Sequence, residues 1–147
     1  MTTEQKELQY VVFSVDGENY GVDIMAVQEI MHYTPPTVVH GSDPALVGVI
    51  NFRGTVIPIV DVRLRFGLSP VEPDKETVIV VVEASHKTIG LLVEKVTDIV
   101  TAEEIDNTIK EQMETEYVDY IAKTEKTMVM VVDPVLLLDV KEFFHNA

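Results

Sequence analysis

Laid against itself with a shift of 69 positions, the sequence places "QYVVFSVDGENYGVDIMAVQEI" (9–30) over "VIVVVEASHKTIGLLVEKVTDI" (78–99). Val11, Val12, Gly21, Val27 and Ile30 meet Val80, Val81, Gly90, Val96 and Ile99, and most other apolar positions meet apolar positions. A shift of 72 then lays "TVIPIVD" (55–61) over "TMVMVVD" (127–133), pairing Thr55, Val60 and Asp61 with Thr127, Val132 and Asp133. Valine-rich strands match one another easily, but a match held in order through both blocks points to an internal duplication. Whatever the first half builds, the second half must build again.

Each half reads as strand, turn, strand, short connector, strand, strand and capped helix. The strand runs are short and rich in valine and isoleucine: 9–15, 46–52, 55–61, 77–84, 88–96 and 127–133. Asp61 is placed to cap a short helix in "DVRLRFG" and Gly67 to stop it; Asp133 and Pro134 open a more helical C-terminal stretch, "VLLLDVKEFF". Two such units of about five strands each would hide their edges by curling into barrels or packing together. "PDKE" (73–76) is the expected crossing point, and a groove between two lobes is a natural binding place.

Composition narrows the function. A net charge of −14 opposes any mode that neutralises many phosphates, so nucleic acid and anionic lipid surfaces are poor partners. There is no cysteine, hence no disulfide framework and no thiolate metal site. "MTTEQKELQY" is too polar for a signal peptide, and no run reaches the roughly 20 apolar residues of a membrane span, so a cytoplasmic protein is expected. His32, His40, His86 and His145 are dispersed without metal-ligand spacing, and no nucleophile elbow, P-loop or dinucleotide fingerprint is present. Neither metal nor cofactor is expected. Asp61 and Asp133 are better explained as caps than as phosphoacceptors.

The three arginines, Arg53, Arg63 and Arg65, fall within thirteen residues while the eight lysines are scattered. Arg53 lies in "GVINFRGTVIPIVD" (48–61). Strand alternation puts Val49, Asn51 and Arg53 on one face and Ile50 and Phe52 on the other, with Gly54 supplying the positive φ of a tight hairpin. Pro58, lacking an amide proton, belongs on an edge or at a bulge. A guanidinium at a hairpin tip either anchors its own loop or grips a carboxylate on a partner. The second half reads "KTEKTM" at the matching turn, with Glu125 where Arg53 would fall, which favours the partner contact.

Taken together, "YGVDIMAVQEI" (20–30), "GVINFRGTVIPIVDVRLRFGL" (48–68) and "IGLLVEKVTDIV" (89–100) resemble the CheW family of chemotaxis coupling proteins, in order and over nearly the whole chain. The resemblance implies a mainly β fold: one CheW-like domain over 1–147 made of two pseudo-repeated five-stranded SH3-like barrels with short helices and a C-terminal helix. Residues 16–75 would form the first barrel, and 76–147 with the strand 9–15 the second barrel and shared core. It implies no enzyme activity and no cofactor, but an adaptor bridging chemoreceptor cytoplasmic tips to the histidine kinase CheA, with weak self-association in arrays. A chain spanning only this domain suits a stand-alone coupling protein recruited to membrane-associated arrays. Carried over by motif position, the receptor-binding residues are Arg53, Glu29, Val27 and Ile24, with Leu91 and Val93 as an opposite wall. For the kinase the resemblance points only to regions at the barrel ends, the loop "DNTIKEQM" (106–113) being one candidate, with Ile109 as its candidate apolar anchor. The family's commoner "NLRG" is "NFRG" here, and "VVHGSDP" (38–44) is not its usual loop before the third strand. Phe52 is expected to point away from Arg53. The competing reading is a small barrel that binds single-stranded nucleic acid, which the charge opposes.

Overall fold

The valine-rich runs become strands in the computed structural model, which describes residues 8–41, 43–108 and 117–138. The first half supplies β1 (Gln9–Val15), β2 (Glu18–Asp23), β3 (Val27–His32), β4 (Leu46–Phe52), β5 (Thr55–Asp61) and the short helix α1 (Val62–Arg65). The second supplies β6 (Val78–Ala84), β7 (Lys87–Val93), β8 (Lys95–Thr101), β9 (Glu104–Asp106), β10 (Val118–Lys123), β11 (Met128–Val132) and α2 (Pro134–Leu138). Sequence reading treats most of β3 and β8 as connector. Both are edge strands with only one neighbour, so half or more of their positions face solvent and their apolar signal is diluted.

The duplication is visible in the pairing. One sheet runs β8-β1-β2-β11-β10-β9 and the other β3-β6-β7-β5-β4. With β6 to β8 as counterparts of β1 to β3, and β10 and β11 of β4 and β5, both sheets share one order, β9 being the extra strand. The parallel pairs correspond, Gly21 facing Val131 and Gly90 facing Ile59. So do the bulges: Val27 and Glu29 meet Val82 and Val81, just as Val96 and Asp98 meet Phe13 and Val12.

Each sheet, however, takes its central hairpin from one half and its outer strands from the other. The expected division at about residue 76 therefore does not describe sheet membership: β2 sits among second-half strands, and β6 and β7 among first-half strands. The reason lies in β1 and β6, which are apolar on both faces. Tyr10 and Val12 point into a cluster with Ala122, Val129 and Val131. Their counterparts Ile79 and Val81 point into one with Ile50, Ile57 and Ile59. The alternate residues Val11, Phe13, Val15, Val80 and Val82 join Val22, Leu91, Val132 and Leu137 in the core between the sheets. A hairpin that needs cover on both faces is completed only by exchanging strands between halves. The fold is thus mainly β, two pseudo-repeated SH3-like barrels around a common core.

Close approaches explain several small residues. A Cβ on Gly21 would lie 2.7 Å from Val129 Cγ1, and one on Gly90 2.5 Å from Ile59 Cδ1, so the parallel pairs close only over glycine. Pro58 is neither on an edge strand nor at a bulge, contrary to the sequence expectation. Its partner Val49 spends both backbone groups on Thr37 (2.8 and 2.9 Å), so the Val49–Pro58 pair needs no hydrogen bond. On its other side the ladder to β7 starts only at Ile59. Tyr10, fully buried, is satisfied by the Tyr120 hydroxyl at 2.7 Å; burial and that bond push its phenol above the ordinary range.

The caps read from sequence are in place. The Asp61 carboxylate accepts from the Leu64 N–H, Asp133 accepts from the Val135 N–H, and Gly67 follows α1 at φ +81°. Of the C-terminal helix, α2 is seen as far as Leu138.

Candidate functional site

The β4–β5 connection is a two-residue turn, Arg53–Gly54, with both residues at positive φ (52° and 84°). That is the primed-turn geometry matching strand twist, and the Asn51 side chain steadies it by accepting from the Gly54 N–H at 2.9 Å. The β1–β2 and β6–β7 turns are built alike from Asp16–Gly17 and Ser85–His86.

Because Arg53 sits in the turn, strand alternation does not govern its side chain. Its guanidinium folds back over the Phe52 ring, 4.9 Å from the centroid, so Phe52 does not point away from it as expected. Nη2 donates to Glu29 Oε1 at 2.6 Å. β3 and β4 are the two edges of their sheet, so this pair draws together the open sides of one barrel. Arg53 remains 69% exposed and Glu29 39%. A pair this wet contributes about 0.2–1 kcal/mol, too little to be a fold requirement.

The bulge at Gln28 decides what the rest of the segment does. Without it Val27 and Glu29, two apart, would share a face. With it Val27 pairs Val82 and turns to the common core, whereas Glu29 pairs Val81 and faces the mouth where Arg53 arrives. Ile24 likewise packs partly buried against the core. The apolar residues of "DIMAVQEI" that reach solvent are those sequence reasoning passed over: Met25, 88% exposed in the 3-10 turn Ile24–Ala26, and Ile30, 39% exposed. Their signal was indirect: once Ile24 and Val27 face inward, a three-residue turn must aim Met25 out.

The opposite wall is corrected outright. Leu91 is fully buried and Val93 3% exposed, both in the common core, because β7 is a central strand packed on both faces. Ile109 lies outside the described residues.

The other two arginines act inside the molecule. Arg63 Nη1 donates to Glu94 at 2.7 Å and lies 3.5 Å from Asp16, while Nε donates to the Ser69 carbonyl, tying the β1–β2 turn to α1 and the end of β7. Nearby, burial pushes the Asp61 carboxyl up, against the backbone N–H groups of Leu64 and Arg63 and the Arg63 charge, which pull it down. Arg65 forms a two-pronged pair with Asp43, whose side chain is 8% exposed. It also donates to the Leu137 and Leu138 carbonyls of α2. Among the described residues, no group of three or more His, Cys, Asp or Glu is placed to hold a metal, and no helix is long and apolar enough to cross a membrane.

Known proteins resemble this chain in sequence and in fold. A probable chemotaxis protein CheW of Rhizobium etli is 35% identical over 133 residues, covering 88% of this chain and 86% of its own. Chemotaxis protein CheW of Bacillus subtilis is 32% identical, covering 100% and 97%. The crystal structure of the scaffolding protein TtCheW from Thermoanaerobacter tengcongensis superposes with a TM-score of 0.78 at 29% identity, over 90% of this chain and 88% of that one. The profile of the CheW-like domain matches residues 9–142, and with these relatives it shows that the chain belongs to the CheW family of chemotaxis scaffold proteins.

Proposed function

We propose that the protein is a non-enzymatic adaptor that couples the cytoplasmic tips of methyl-accepting chemoreceptors to the regulatory domain of the kinase CheA, working in the cytoplasm at membrane-associated arrays. The observation that carries this reading is Arg53: in a CheW-family chain, an arginine at a positive-φ turn that stays 69% exposed, with Glu125 at the matching turn of the other half. A residue that the fold does not need, kept in a conformation disfavoured for its type, is best accounted for by a partner. Arg53 and Glu29 supply charge and register to a helical receptor tip, and Met25 and Ile30 supply apolar contact. Ile24 and Val27 shape the segment from beneath, and Leu91 and Val93 stiffen it through the core. Ile109 stays a candidate kinase anchor, and weak self-association in arrays accompanies the role.

The test is a pull-down with CheA and a receptor-tip fragment. Arg53→Ala should weaken receptor binding by about 2 kcal/mol, roughly 30-fold, while costing under about 1 kcal/mol of stability. Failure of the intact protein to capture either partner would sink the reading. A large stability loss with binding intact would return Arg53 to a loop anchor.

A further inference from the structure

The turn between β2 and β3 holds the most exposed large apolar side chain among the described residues, Met25 at 88%. Its position is fixed: Ile24 and Val27 on either side are rooted in the common core, and the Met25 N–H donates to Asp23 Oδ1 at 2.9 Å. The fold does not call for a thioether there. The repeat counterpart of Met25 is Glu94, which accepts from Arg63 at 2.7 Å and from the Asp16 N–H at 2.9 Å. One half uses this position for an internal ion pair; the other leaves a flexible, polarisable side chain in water, a surface suited to adaptable docking.

The chain has no cysteine, so a two-electron oxidant meets sulfur only as methionine. Met31 and Met130 are half-buried and Met128 is 64% exposed, which leaves Met25 the most accessible described thioether. We propose that Met25 is a reversible oxidation site that regulates partner docking, an inference resting on the receptor-binding reading above. A peroxide delivers one oxygen atom to Sδ: the O–O bond breaks, an S–O bond forms, sulfur loses two electrons, and hydrogen peroxide leaves as water. The product sulfoxide is polar and chiral where the thioether was apolar, so it weakens apolar docking without disturbing a core that Met25 does not enter.

The full chain, with Met25→Leu and Met128→Leu variants, is exposed to graded hydrogen peroxide. It is followed by peptide mass mapping and by titration with a purified receptor-tip fragment. Met25 and Met128 should gain oxygen before Met31 and Met130. On oxidation, wild type and Met128→Leu should lose affinity about tenfold, the scale of one buried apolar contact, while Met25→Leu, compared with its own unoxidised form, should show no peroxide-dependent loss. A methionine sulfoxide reductase should restore the loss. Oxidation of Met25 no faster than of Met31, or an equal affinity loss in Met25→Leu, overturns the proposal and leaves receptor binding standing. Unoxidised wild type that does not bind the fragment overturns both.

Discussion

Removing the Arg65 guanidinium should unmake the junction between the two halves. Nη1 and Nη2 reach the two Asp43 oxygens at 2.9 and 2.6 Å, Nε reaches the Leu137 carbonyl at 2.6 Å and Nη2 the Leu138 carbonyl at 3.3 Å. The side chains of Arg65 and Asp43 are only 9% and 8% exposed. Arg65→Ala leaves a nearly buried carboxylate without its cation and takes the arginine's donors from two α2 carbonyls, a loss of about 3–5 kcal/mol. Against a total stability of roughly 5–15 kcal/mol that is a large share, equivalent to a Tm drop of roughly 10 °C. Urea titration monitored by circular dichroism reads it directly. Asp43→Leu alone should be nearly as harmful, and the pair Arg65→Met with Asp43→Leu should be milder than the sum of the single losses, since no charge is then stranded. Additive single losses, or an Arg65→Ala cost below about 1 kcal/mol, would show that the pair is solvated in solution and refute the buried-lock account.

Three further perturbations test other parts of the fold. A Cβ on Gly48 would strike the Thr37 carbonyl oxygen and lie 2.9 Å from Pro36 Cβ, at φ +154°, so Gly48→Ala should cost more than about 2 kcal/mol in chemical denaturation; a loss within about 0.5 kcal/mol would contradict it. The β6–β7 turn places Ser85 and His86 at φ 50° and 66° with no glycine, and His86→Gly should raise stability by about 0.5–1 kcal/mol, visible as a higher Tm. The Asp61 carboxyl is raised by burial, so the folded state binds its proton more tightly than the unfolded state, and this group's contribution to stability falls as pH rises through and above the ordinary carboxylate range. Asp61→Asn, which can still accept from the Leu64 N–H, should therefore gain on wild type from acid toward neutral pH, and a difference in stability that stays flat or shrinks on the way up would refute the sign.

The duplication made most of the fold legible, because strands buried on both faces carry an unbroken apolar signal that survives in both copies. What it could not convey is which copy supplies each strand of a sheet. β1 and β6 call for cover on both faces, but that cover comes from strands distant in the chain, and no local pattern in either copy spells out which ones. The site was half legible for a related reason. Arg53 and Glu29, singled out from the sequence, form an ion pair in the structure, but counting by twos along β3 assumes an unbroken strand. The bulge at Gln28 breaks that count, turning Val27 inward and leaving Met25 and Ile30 as the exposed apolar residues. Leu91 and Val93 matched the motif by position, yet a central strand has no free face to offer.

The arginine cluster now separates into three jobs, and departures from the repeat tell them apart. The counterparts of Arg53, Arg63 and Arg65 are Glu125, Val135 and Leu137, so the duplicated fold itself demands none of the three. Arg65 donates to the carbonyl of Leu137, its own counterpart, which places both where the two halves meet across the pseudo-twofold relation. Arg63 spans sheets between Asp16 and Glu94 at 13% exposure. Both fasten one half to the other from α1, Arg63 to Glu94 at the end of β7 and Arg65 to the α2 carbonyls. Arg53 fastens nothing of that kind: its ring and carboxylate partners belong to its own barrel and leave most of it in water. If this division is right, loss of Arg63 or Arg65 registers in stability and loss of Arg53 in binding, because only an arginine not already spent on the fold is free to be shared with another protein.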